Sequence, residues 1–143
     1  MAYKFSMEKI LDWREDLEKA SMERFALTQN ELNQEKLKLS NLYKEYESLK
    51  ERFVKYKSAN EIKQYQLYKS DLEKKIELQI QVVEEKTNEL EERRLELVDA
   101  QKDRKIMEKL KEKDYENYKE KENLEEQKFL DEISVVKYKK AVN

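Results

Sequence analysis

Lys57-Ser-Ala-Asn-Glu-Ile-Lys63 is the stretch in which a long helical repeat lapses, and its reading decides the fold. On its N-terminal side Phe25, Thr28, Leu32, Glu35, Leu39, Leu42, Tyr46, Leu49, Phe53 and Tyr56 step alternately by three and four. That is the spacing of one coiled-coil face, and only Thr28 and Glu35 break its apolar rule. On the C-terminal side a second row follows: Tyr65, Tyr68, Leu72, Ile76, Ile80, Val83, Thr87, Leu90, Arg94 and Leu97. Folding the chain near residue 60 or 61 sets the rows against each other in reverse order. Tyr56 then meets Tyr65, Phe53 meets Tyr68, Leu49 meets Leu72, Tyr46 meets Ile76 and Leu42 meets Ile80. The polar exceptions also coincide, with Glu35 opposite Thr87 and Thr28 opposite Arg94. This coincidence favours an antiparallel hairpin over one uninterrupted helix that dimerises along its length, which stays open as the alternative. Ser58 and Glu61 have capping-box spacing at the start of the second helix, although Ser48/Glu51 and Ser70/Glu73 share it.

The expected architecture is all-α: two long helices in an antiparallel coiled-coil hairpin with a C-terminal helical overhang. It forms a single coiled-coil domain over 1–143, with helix one at about 6–57, a turn at about 58–61 and helix two at about 62–140. Ser6 is the expected N-cap of the first helix, with Glu8 in its positive first turn. Phe5 and Ile10 have the spacing of a hydrophobic staple. Ile10, Trp13, Leu17 and Ala20 then run one position out of phase with the row that starts at Phe25, which predicts a local change of supercoil near Ser21. In that phase Ala100, Arg104, Met107 and Leu110 face Ala20, Leu17, Trp13 and Ile10.

Composition narrows the function. Charged residues are 45% of the 143, the hydrophobic set is 38%, and Gly, Pro, Cys and His are all 0. A chain with this balance reads as long helix. Without Gly no phosphate-cradling loop forms. Without Cys or His there is no ordinary zinc site and no thiol or Ser-His nucleophile. Carboxylates on paired helices lack a water-excluding pocket to shift their pKa. The expectation is therefore no enzyme, no catalytic residue, no cofactor and no metal. The formal charge of -2 argues against nucleic acid as a partner. No apolar run approaches membrane-spanning length, and Met1 to Glu15 lacks a signal-peptide core. A cytoplasmic protein, monomeric when free, is expected.

Three features remain for function. Lys102, Arg104, Lys105, Lys109, Lys111 and Lys113 form a basic belt, interleaved with Asp103, Glu108 and Glu112 as on many solvated helices. Tyrosines gather toward the turn; most fit the row, whereas Tyr43 lies beside it and is expected to be exposed. Helix one runs out opposite about residue 115, so Glu116 to Asn143 overhang by as much as ~40 Å if fully helical. Their apolar stripe of Phe129, Ile133 and Val136 has no intramolecular partner and suits docking, the alternative being a frayed terminus.

The order of these features resembles the FliJ family, the small coiled-coil proteins of the bacterial flagellar type III export apparatus. The likeness lies in Phe5-Ser-Met-Glu-Lys-Ile-Leu-Asp-Trp-Arg14, in Ala100-x3-Arg104-Lys-x2-Glu108-Lys-Leu-Lys-Glu-Lys113, and in Glu126-Gln-Lys-x-Leu-Asp-Glu-Ile133. The resemblance implies a shape similar to the central stalk of rotary ATPases. It implies three partners: the hexameric flagellar export ATPase, the export-gate membrane protein and export chaperones. It also implies peripheral attachment to the inner face of the membrane at the flagellar base. On it Ile10, Trp13, Arg14, Arg104, Lys105, Glu108, Lys109 and Leu110 are candidate contacts to the ATPase ring, joined by Phe129, Ile133 and Val136 of the overhang. Tyr68 and Leu72 match the aromatic and Leu spacing of the family's gate-contacting surface, and the exposed Tyr43 is grouped with them. A homodimeric coiled-coil tether unrelated to an ATPase is the other reading, and a nucleic-acid-associated coiled coil is a third.

Overall fold

Ser58 turns the chain. In a computed structural model, which describes residues 2–53, 55 and 58–142, its Oγ accepts a hydrogen bond from the Glu61 amide at 3.1 Å. Its carbonyl accepts the first intrahelical bond, from the Ile62 amide. Ser58 is thus a working N-cap. Helix α1 spans Glu8–Phe53 and helix α2 spans Ala59–Val142, packed against each other with no strand among the described residues. The hairpin expectation holds. The described helices are bounded by Phe53 and, after the Ser58 cap, by Ala59. Tyr56, expected to meet Tyr65, lies outside the described residues.

The chain forms two compact units: Lys19–Asp99, which contains the turn, and Met1–Glu18 with Ala100–Asn143, which contains both termini. In the turn-side unit Leu49, Tyr65, Leu72 and Ile76 make the core, with Leu39, Leu42 and Tyr46 packed on it. Leu72 is 2% exposed. Phe53 stacks on Tyr65, with ring centroids 4.4 Å apart, rather than on Tyr68.

The facing row of α2 differs from the sequence reading. The buried and half-buried seats are Tyr65, Lys69, Leu72, Ile76, Gln79, Val83, Lys86, Leu90, Arg93 and Leu97. Tyr68, Ile80, Thr87 and Arg94, each beside one of these seats, are exposed, Ile80 by 43%. The paired helices keep a seven-residue repeat with alternating steps of four and three, whereas the expected row, which spans Tyr65 to Leu97 in the same nine steps, lies one position off at Tyr68, Ile80, Thr87 and Arg94. Lysine and arginine hold their seats by burying the aliphatic stem while the charge reaches water. Thr28 and Glu35 hold seats of α1 as expected, but the polar residues that occupy the seats of α2 are not the expected Thr87 and Arg94. Gln79 Nε2 donates to the Glu35 carboxylate at 2.6 Å and to its carbonyl at 3.0 Å. Lys86 bridges Glu31 at 2.8 Å and Glu89 at 3.0 Å. Thr87 donates to the Val83 carbonyl of its own helix, and Arg94 pairs with Glu91.

The same repeat corrects the start of α1. Its seats are Leu11, Arg14, Glu18, Ser21, Phe25, Thr28, Leu32, Glu35, Leu39, Leu42, Tyr46 and Leu49, all at least half-buried and unbroken in phase. No phase change occurs at Ser21. Three polar residues occupy seats there, and the apolar Ile10, Trp13 and Ala20 are exposed instead. Helix α1 begins at the Met7 carbonyl, which accepts from the Ile10 and Leu11 amides at 3.0 Å. Phe5 packs with Leu11 and Met107, so the staple joins Phe5 to Leu11 and not to Ile10.

Candidate functional site

Within the unit of Met1–Glu18 and Ala100–Asn143 the basic belt separates into two rows. Arg104 and Lys111 occupy inward seats and are neutralised there. Arg104 pairs with Glu18 across the helices and with Glu108 along its own, the latter at 2.6 Å. These two carboxylates, Glu108 first, raise the Arg104 pKa above its ordinary value. Lys111 pairs with Glu8 at 2.9 Å, and Asp103 takes Arg14 at 3.2 Å. Lys102, Lys105, Lys109 and Lys113 step by three, four and four along an outward face, all exposed, and no ion pair holds them among the described residues. Glu112 is the acidic neighbour on that side. The sequence placed all six cations in one belt, but only the outer row offers charge to a partner.

The apolar candidates of this unit are more accessible than expected. Ile10 is 44% and Trp13 53% exposed, and the Arg14 guanidinium lies 4.7 Å from the centre of the Trp13 ring. Leu110, expected to face Ile10, is exposed too, while Met107 is buried.

Past Tyr118 α2 continues as helix to Val142 with every residue exposed except the half-buried Ile133. Extending the seats Met107, Lys111, Asp114 and Tyr118 by the same repeat reaches Lys121, Glu125, Lys128 and Glu132. These are charged, so the pairing face ends. Phe129, Ile133 and Val136 sit one residue further on, about 100° around the helix from it. With Glu132, Lys137 and Lys140 they line a shallow groove.

In the turn-side unit Tyr43 and Tyr68 are exposed and Leu72 is in the core. Tyr68 donates its hydroxyl to Glu45, which raises its pKa. Tyr43 lies beside Lys36, Ser40, Lys44 and Glu47 of α1, and no ring contact joins it to Tyr68. Leu72 touches a partner only if the helices part.

One cluster went unread in the sequence. Tyr3 packs edge-to-face against Tyr115 and tilted against Tyr118, and donates its hydroxyl to Asp114 at 2.9 Å. The paired region therefore reaches Tyr118 rather than ending at about 115. Tyr115 and Tyr118, three residues apart just past Asp114, were the available signal. No group of carboxylates among the described residues is arranged to hold a metal ion, and none of their helices is long and apolar enough to cross a membrane.

The described residues form an all-α antiparallel hairpin of two helices that leaves a charged row and an apolar row exposed. Residues 3–143 match the family model described as the flagellar FliJ protein, and the chain belongs to that family. No curated protein and no solved structure matches it. Membership makes it a component of the flagellar protein export apparatus.

Proposed function

We propose that this chain is the stalk-like element of that apparatus. The Met1–Glu18 and Ala100–Asn143 unit enters the bore of the hexameric export ATPase and promotes ring assembly. The turn-side unit, through Tyr43, Tyr68 and Leu72, engages the membrane export gate, and export chaperones are handled on the same chain. The protein is monomeric when free, takes no nucleic acid and works at the inner face of the membrane without spanning it. One observation supports the reading most: Lys102, Lys105, Lys109 and Lys113, a row with no ion pair among the described residues, share their unit with an apolar stripe of the exposed Phe129 and Val136 and the half-buried Ile133. The charged row suits an acidic lining and the stripe an apolar one.

Two variants of the full chain test it against the cognate export ATPase. Removing Leu124 to Asn143 should leave melting of the turn-side hairpin unchanged and weaken co-purification and assembly-dependent ATP hydrolysis. Changing Lys105 and Lys109 to Glu should weaken binding and flatten its salt dependence. Arg104 is a poorer probe, because its reversal breaks the Glu18 pair as well. Unchanged binding and hydrolysis with both variants would remove the stalk role. A dimer of the free protein by sedimentation would favour the tether.

A further inference from the structure

Ahead of α1 runs a short non-helical arm, Ala2 to Met7, and it does more than lead into the helix. We propose that this arm is a latch that holds the first turns of α1 against residues 100–118 of α2, and that its release lets this pairing open.

Two observations carry the idea. The buried apolar residues of this unit are Phe5, Leu11 and Met107, with Tyr3 packed on them, so half of that cluster comes from the arm. The seats beside it hold ions, and the pairs Arg14–Asp103 and Lys111–Glu8 keep side chains between 32% and 48% exposed. Ion pairs with that much water around them add little to stability. Beside the less exposed Arg104–Glu18 pair, whose side chains are 22% and 15% exposed, the arm is thus a main contributor to what closes this unit.

Its attachment is of a kind that can be undone. The backbone hydrogen bonds of the arm, from the Glu8 amide to the Phe5 carbonyl and from the Ile10 and Leu11 amides to the Met7 carbonyl, all lie at its junction with α1. Everything that binds it to α2 is side chain: Tyr3 between Tyr115 and Tyr118, at 5.0 and 5.2 Å, and the Tyr3 hydroxyl on Asp114 and, at 3.4 Å, on the Lys111 carbonyl. Phe5 is the bolt. Swinging the arm away at the Ser6–Met7 turn uncovers Leu11, Met107, Tyr115 and Tyr118 together. Segments with few apolar contacts open without global unfolding. The proposal does not depend on the export role and is tested on the free protein.

The chain has no cysteine, so one introduced by Met107→Cys reports opening. Adding Tyr3→Ala and Phe5→Ala should raise its thiol-labelling rate by about tenfold or more relative to Met107→Cys alone. Leu72→Cys in the same arm background, probing the other unit, should label no faster than with the native arm. Amide exchange on the Tyr3→Ala, Phe5→Ala variant with Met107 retained should show lost protection over 8–18 and 100–111 only. Tyr3→Phe, which keeps the ring contacts and removes the hydroxyl bonds, should give a smaller rise. Unchanged labelling and exchange at the terminal end would overturn the latch, leaving the arm as surface decoration. Equal acceleration at Met107→Cys and Leu72→Cys would overturn it as well, since the arm would then support the whole fold.

Discussion

The two units use one seven-residue repeat and fill it differently. In Lys19–Asp99 the seats nearest the turn hold Leu49, Tyr65, Leu72 and Ile76, and burial of each apolar side chain contributes ~1.5–3 kcal/mol. In Met1–Glu18 with Ala100–Asn143 the seats hold Arg14, Glu18, Arg104 and Lys111 around a small cluster of Phe5, Leu11 and Met107. A partly exposed ion pair is worth ~0.2–1 kcal/mol. The same repeat therefore gives a firm unit and a yielding one. What differs is the chemistry of the seats, not the helices.

The contrast is most exposed to failure at Leu72. Leu72→Asp puts a carboxylate among apolar side chains with no partner, and should cost about 3–5 kcal/mol and lower the melting temperature by roughly 10 °C or more. Lys50→Asp, on an exposed position of α1, should do far less. Equal losses at the two sites would mean that the turn-side core is misplaced.

Next in size is Met107→Ala. It should cost about 2 kcal/mol, and amide exchange should find the loss confined to 8–18 and 100–118. A loss of protection spread evenly over both units would erase the distinction between them.

Salt separates the units more gently. Going from 0.1 to 1 M shortens the Debye length from about 10 to about 3 Å. Exchange around Arg14, Asp103 and Lys111 should then quicken by a few fold, while that around Leu49 and Leu72 stays level. Quickening confined to the turn side would reverse the assignment.

The smallest effect is alkaline. Tyr3 is raised to about 12, by its packing first and by the Asp114 hydrogen bond second, with Glu8 and Tyr115 adding to the shift and the Lys111 carbonyl also accepting from the hydroxyl. The folded state therefore favours the neutral phenol. Its contribution is complete below the ordinary tyrosine value of about 10 and is lost as pH rises through 12. Comparing phenolate absorbance of the native chain with Tyr3→Phe should remove one late-titrating group. Removal of an early one would show Tyr3 free of Asp114.

The hairpin was legible because apolar residues occupy most turn-side seats of α1, from Leu32 to Leu49. Its register was harder to read. Gln79, Lys86 and Arg93 hold seats of α2 although Ile80, Thr87 and Arg94 stand beside them, and hydropathy alone prefers Ile80 and Thr87. At the other end Ile10 and Trp13 drew the reading away from Leu11, Arg14 and Glu18. Their exposure and the division of the basic belt depend on which way each side chain faces, and a one-residue error in phase turns that by about 100°. Tyr3 was invisible because its partners lie more than a hundred residues away, on a face whose phase was not known.

The turn between the pairing face and the tail's apolar row has an evolutionary consequence. Phe129, Ile133 and Val136 share no side chain with the seats that end at Tyr118, and the charged Lys121, Glu125, Lys128 and Glu132 continue those seats. A lineage can therefore rewrite the stripe without touching the residues that fold the hairpin. It can also retune the hairpin without altering the stripe. The two surfaces are free to evolve at different rates on a single helix.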